Sequence, residues 1–279
     1  MTRRVLGAWC FMLRASCAVL GASCWVLGAS ACGVAGATPA AGSAATVPVV
    51  VELFTSEGCS SCPPADALLQ DLLAKQPVTG ALVIGLSEHV DYWDQLGWRD
   101  RFSDARFTAR QRQYSSTLPA EVYTPQMVVD GTAAFVGSDR ADAIRAIGQA
   151  AAHAKAPVTL VWTASAQLDV TIARATPNDD VLLVIVEDGL SSAVKSGENA
   201  GRMMAHAAVT RRLQTIGTID RIGAFHAVVA ATADAAWHTS QLQAVVLVQK
   251  HGQGAIDGAA ALHWTSKIVA LAPWLRQAP

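Results

Sequence analysis

The apolar positions of this chain change period several times along its length. The run VPVVVELFT (47–55) is β-branched and has no polar alternation, the pattern of a strand buried on both faces. ADALLQDLLAK (65–75) instead sets Leu68, Leu69, Leu72 and Leu73 along one face of a helix. Pro63 and Pro64 stand just ahead of it, where a first helical turn has no partner for the amide hydrogens they lack. ALVIGLSE (81–88) reads as a second buried strand, and the polar, aromatic stretch 91–118 predicts a helix in its latter half. VYTPQMVVDG (122–131) and TAAFVGS (132–138) predict a hairpin across an Asp-Gly turn, and RADAIRAIGQAAAHA (140–154) an amphipathic helix. The order β-α-β-α-β-β-α predicts an α/β unit whose mixed sheet is covered by helices on both faces.

From about Lys155 the texture changes. PVTLVWTASAQLDVTIARAT (157–176), DDVLLVIVED (179–188), GAFHAVVAATA (223–233), LQAVVLVQKHG (242–252) and IDGAAALHW (256–264) read as strands separated by turn signals. AGRMMAHAAVTRRLQTIG (200–217) reads as one helical insert among them. The expectation is an α/β domain over 47–154 in a thioredoxin-like layout, then a mainly β, sandwich-like domain over 155–279.

The N-terminal segment sits outside both. No charged residue occurs between Arg14 and Glu52, and ASCAVLGASCWVLGASACGVAGA (15–37) is apolar, rich in small residues and ends in Ala35-Gly36-Ala37. Arginines, an apolar run and an Ala-x-Ala site describe a secretory signal peptide over 1–37, followed by a linker over 38–46. The reading implies export to a periplasmic or extracellular space, with no stable membrane span after cleavage. A retained membrane anchor is the alternative, since the run is long enough to span. Met12 would give a tidier leader than Met1, and Cys32 lacks the leucine three residues earlier that a lipidated cysteine usually has. Setting aside Arg3, Arg4 and Arg14 leaves 18 of the 21 basic residues against 22 acidic ones, a net charge of −4. That balance and the lack of a basic cluster exclude a nucleic-acid partner.

Cleavage also changes the cysteine count. Cys10, Cys17, Cys24 and Cys32 leave with the leader, so Cys59 and Cys62 can pair only with each other or with another molecule. GCSSC (58–62) lies where the first strand gives way to the first helix. There, unpaired amides and the helix dipole stabilise a thiolate. Cys59 is the expected exposed attacker and Cys62, one turn inside, the resolving thiol of a mixed disulfide. Protein thiols and disulfides are the partners this use implies, and no cofactor or metal is expected with it. Two other uses remain open: a Cu(I) relay through the same two thiolates, with His89 nearby, and an inert staple. Zinc fits poorly because a structural site wants four ligands and no second Cys-x-x-Cys exists.

Thr124-Pro125 precedes the third strand, and an X-Pro bond there adopts cis at low cost. In thioredoxin-like proteins a cis proline packs against the redox pair and leaves the preceding residue, here Thr124, open to substrate. EHVDYWDQLGW (88–98) follows the second strand, where such a sheet opens to its ligand side, so Glu88, His89, Asp91, Tyr92 and Trp93 are candidates for the substrate surface. A packing loop with buried tryptophans explains them equally well. His206 and Arg202 read as surface or capping residues.

Four segments in order, VELFTSEGCSSCPPAD, EHVDYWDQLGW, VYTPQMVVDG and FVGSD, resemble a family of secreted bacterial thioredoxin-like proteins catalogued as a domain of unknown function. SGENAGRMMAHAAVTRRL (196–213) is similar to that family's second domain, so the resemblance runs from about Val47 to the C-terminus. It implies a two-domain fold and a Cys-x-x-Cys site but no settled activity. Ser60-Ser61 between the cysteines departs from the Gly-Pro of true thioredoxins and leaves the direction of electron flow open. A binding protein on a vestigial thioredoxin fold is a further alternative.

Overall fold

The computed structural model describes residues 46–164 and 166–264. The leader, the linker and the extreme C-terminus lie outside the described residues. The chain runs β1 (Val47–Thr55), α1 (Pro63–Lys75), β2 (Ala81–His89), α2 (Ala105–Thr117), β3 (Gln126–Val129), β4 (Ala133–Val136) and α3 (Arg140–Ala151). It continues as β5 (Val158–Ala164), β6 (Gln167–Ile172), β7 (Asp180–Glu187), β8 (Leu190–Ala193), β9 (Met203–His206), β10 (Val209–Thr218), β11 (Phe225–Ala230), β12 (Leu242–Gln249) and β13 (Ile256–His263).

β1 and β2 pair in parallel, as two strands joined through a crossover helix must, while β3 and β4 add antiparallel on the far edge of β1. Asp130 and Gly131, both at positive φ, make the tight β3–β4 turn read from the sequence. α1 and α3 cover one face of this part, burying Leu68, Leu69, Leu72 and Ile147 against Val49, Val51, Leu53 and Val129. On the other face Tyr114 of α2 packs beside Phe54 and Val128.

Eight strands form one sheet in the order β13-β12-β7-β10-β2-β1-β3-β4. The parts on either side of residue 154 are therefore joined through β2 and β10, which meet in parallel at Ser87 and Val209. β5, β6 and β11 form a separate three-stranded sheet, and its Leu168, Val170 and Ile172 pack on Val181, Leu183 and Ile185 of β7. The opposite side of β7 and β12 folds back over Val50, Ile84 and Leu86, forming a further apolar core with Ile256 of β13. Ile256 N donates to Asp130 O at 2.8 Å, and Lys155 Nζ reaches Asp130 Oδ2 at 2.8 Å beside it.

The helix expected over 200–217 is absent. β9 and β10 stand there, joined by a short link, with Met203 and Ala205 exposed and Met204 and His206 buried. Alanine, methionine and arginine give this stretch good helix propensity. Pairing of β10 with the buried strand β7 over Val209–Thr218 overrides that local preference, because it satisfies the backbone hydrogen bonds of β7 and buries Val209 and Thr210.

Candidate functional site

Cys62 is the N-cap residue of α1, with Pro63 and Pro64 in the first turn, so the pair sits at the helix end where free amides point outward. Cys59 and Cys62 are joined by a disulfide with Cα atoms 5.4 Å apart, and Cys62 N donates to Cys59 O at 3.2 Å. Cys59 Sγ lies 3.3 Å from Ser61 Oγ. The exposed attacker expected at Cys59 is not seen: its relative exposure is 0%, while Ser60 and Ser61 are exposed. The burial comes from groups remote in sequence, which local pattern does not reveal.

Trp93 packs on the residue just before Cys59. Its Cβ stands 3.1 Å from where a side chain on Gly58 would begin, and its Nε1 donates to Thr124 Oγ1 at 2.8 Å. Thr124 and Pro125 are joined by a cis peptide bond. Gly137 N donates to Pro125 O at 2.9 Å. A Cβ on Gly137 would meet Pro125 Cβ at 3.1 Å and Ala65 Cβ at 3.2 Å. Trp93, Thr124 and Pro125 thus converge on the loop before Cys59 and the first turn after Cys62.

The other candidates divide. Asp91 is half-buried and accepts from Thr108 Oγ1, while Tyr92 donates its hydroxyl to Gln111 at 3.2 Å; both fasten the loop to α2. Glu88 is fully buried on another side of β2, 3.5 Å from Arg110 Nε, which also bonds Glu52 at 2.6 Å. Burial, reinforced by Glu52, pushes the Glu88 pKa well above the ordinary carboxylate range. Glu88 belongs to this core network and does not line the cysteine site.

His89 is also fully buried, but it belongs to a polar cluster with Glu57, Asp66, Asp100 and His206. His89 Nδ1 is 2.6 Å from Asp100 Oδ2, and the two imidazole rings stack edge to face with centroids 4.9 Å apart. Glu57, two residues before Cys59, gathers the others. Its backbone N donates to Asp100 Oδ2 at 2.8 Å, its Oε2 accepts from Trp98 Nε1 at 2.8 Å, and its Oε1 lies 3.2 Å from His206 Nε2. Burial opposes charge on Asp100, yet His89 and the backbone donors outweigh it and hold the pKa at about 2. Burial likewise opposes charge on His89, and Asp100 overcomes it and raises the pKa. Asp66, one turn along α1 from Cys62, goes the other way. Burial raises its pKa to about 6 despite the two histidines.

Glu57 and Asp66 carried no sequence signal beyond being acids near the cysteines, Asp100 lies far along the chain from them, and His206 was read as a surface or capping residue. The alternation of β9 would have turned His206 inward had the strand been recognised. Asn199 was missed as well. It is fully buried and its Nδ2 donates to the carbonyls of both Glu57 and Cys59 at 2.9 Å. Among the described residues no group of three or more His, Cys, Asp or Glu side chains is arranged to hold a metal, and no helix is long and apolar enough to cross a membrane.

Fold and site together define a mixed α/β protein with a disulfide at a helix N-terminus, backed by a buried acid–imidazole cluster. The chain belongs to the family described as protein of unknown function (DUF1223), which matches residues 50–249. No protein of curated function matches it. A crystallographically determined protein from Agrobacterium tumefaciens is 27% identical, with a TM-score of 0.62 over 80% of this chain and 96% of that one. HBP35 of Porphyromonas gingivalis is similar in fold at 16% identity, with a TM-score of 0.56 over 81% of this chain and 80% of that one.

Proposed function

We propose that this is an exported thiol–disulfide exchange protein, with Cys59 and Cys62 as the redox pair on a thioredoxin-like half. The observation that carries the reading is the disulfide between the only two cysteines of 46–279, seated at the N-terminus of α1. A partner thiolate attacks Cys59 Sγ, the Cys59–Cys62 bond breaks, and Cys62 leaves as a thiolate at the helix end. A second partner thiol then displaces Cys59, so that two electrons and two protons have passed from a dithiol to the pair. Starting from the reduced pair, the same steps run backwards and reduce a partner disulfide. Asp66 gives the site a carboxyl that exchanges a proton near pH 6, one helical turn from Cys62. Thr124, before Pro125, is the backbone position offered to an extended substrate.

The test is trapping. Cys62→Ser should accumulate mixed disulfides through Cys59, and Cys59→Ser should accumulate few. Equal trapping by both variants, or none, overturns the assignment. If both variants also lose tight Cu(I) binding that the wild type has, the pair is a copper relay instead.

A further inference from the structure

Among the described residues β8 and β9 pair only with each other, forming a two-stranded ribbon outside the eight-stranded sheet. Its tip, residues 194–202, reaches back across the redox pair. Asn199 is fully buried there, with Nδ2 on the carbonyls of Glu57 and Cys59. Glu198, itself exposed, accepts from Ser60 N at 3.0 Å, and Ser196 Oγ donates to Gly97 O at 2.5 Å. The tip thereby takes up backbone groups on both sides of Cys59. Between Lys195 and Ala200 the sequence is KSGENA, and only Asn199 is buried, so this stretch is held by polar contacts with little apolar burial. Gly197 and Gly201 adopt positive φ, which lets the tip turn sharply. The base of the ribbon is tied down separately: Gln70 Nε2 donates to Ala205 O at 2.6 Å and His206 meets Glu57.

We propose that the tip of the β8–β9 ribbon is a lid on the cysteine pair, locked by Asn199 and Glu198. This rests on the exchange reading above and adds its control. Cys59 reacts only when the lid lifts, and a partner that docks takes over the Ser60 amide and the Glu57 and Cys59 carbonyls. The base remains in place, so opening is local and leaves the sheet intact.

The test measures how fast tris(2-carboxyethyl)phosphine reduces the disulfide in the full chain, by mass spectrometry of the peptide carrying Cys59 and Cys62. The phosphine becomes its oxide, taking oxygen from water, and the disulfide becomes two thiols. Asn199→Ala removes two hydrogen bonds that hold the lid and should accelerate reduction about fivefold or more. Asn199→Asp sets an acceptor against two carbonyls and should be faster still. Glu198→Gln is a surface change that should accelerate reduction less, and it keeps the test decisive if the Asn199 variants fail to fold. Met203→Ala, on the exposed side of β9, should match wild type. Rates equal to wild type in every folded variant overturn the lid. Because a phosphine needs no biological partner, this outcome is independent of mixed-disulfide trapping. Acceleration without trapping leaves a guarded staple, and trapping without acceleration leaves exchange at an unguarded site.

Discussion

Asp66 and Glu57 are both buried acids within a few residues of the cysteines, yet they carry opposite pKa shifts. Burial raises both, but Glu57 has hydrogen bonds from His206 and Trp98 that more than offset it. Asp66 Oδ2 has no hydrogen-bond partner among the described residues, and its pKa rises from 3.8 to about 6. The folded protein therefore holds this proton over a window in which the unfolded chain has released it. The contribution of Asp66 to stability is lost as pH rises from about 4 to 6, and above 6 its ionised carboxylate costs up to about 3 kcal/mol. Asp66→Asn should raise stability at pH 7 by roughly 1–3 kcal/mol and make the stability profile less steep between pH 4 and 6. Urea titrations at both pH values check this. An unchanged or lower midpoint at pH 7 contradicts the assigned charge state.

At the level of elements, the junction of β4, α1 and the Thr124–Pro125 loop leaves no room for a side chain at Gly137. A Cβ there would lie 2.8 Å from Leu53 Cδ1 as well as against Pro125 and Ala65. Gly137→Ala should destabilise the fold by about 1–3 kcal/mol through overpacking. The clash falls between the helix that begins at the cysteines and the loop facing them. The loss of stability should therefore come with a changed rate of disulfide reduction, whereas Gly148→Ala, unobstructed inside α3, should raise stability by about 0.5–1 kcal/mol through helix propensity and leave the reduction rate unchanged. Thermal unfolding and phosphine reduction of the two variants separate these outcomes.

Across the whole molecule, Arg110 ties the two halves of the sheet together. Its Nε bonds Glu52 of β1 and its Nη1 bonds Gln249 of β12 at 3.1 Å, while Tyr114 supplies a further contact from α2. Glu88 shares the same cation, but burial and Glu52 push its pKa well above the ordinary carboxylate range and so favour its neutral form. Removing the cation and removing a carboxyl whose surroundings favour the neutral form should therefore differ sharply. Arg110→Met leaves Glu52 buried and unpaired and should cost about 3–5 kcal/mol. Glu88→Gln should cost less than about 1 kcal/mol at pH 7. Chemical denaturation of both variants tests the contrast, and similar losses in the two would mean that Glu88 is ionised.

Elements whose signal is local are legible in the chain alone. Buried strands at β1 and β2, the one-sided leucines of α1 after two prolines, and the Asp-Gly turn of β3–β4 each follow from periodicity or turn chemistry within about a dozen residues. The chain also singled out Cys59, Cys62 and Pro125 by their position between elements. β9 and β10 came from long-range packing, because pairing with other strands outweighed a helix-favouring composition. That packing likewise joined the halves through Ser87 and Val209, turned Glu88 and His89 into different networks, and brought Asn199 and His206 onto a site at residues 57–62. Burial and charge at the cysteines depend on those long-range contacts. The chain therefore marks the cysteine pair locally, while its surroundings include a residue 140 positions away.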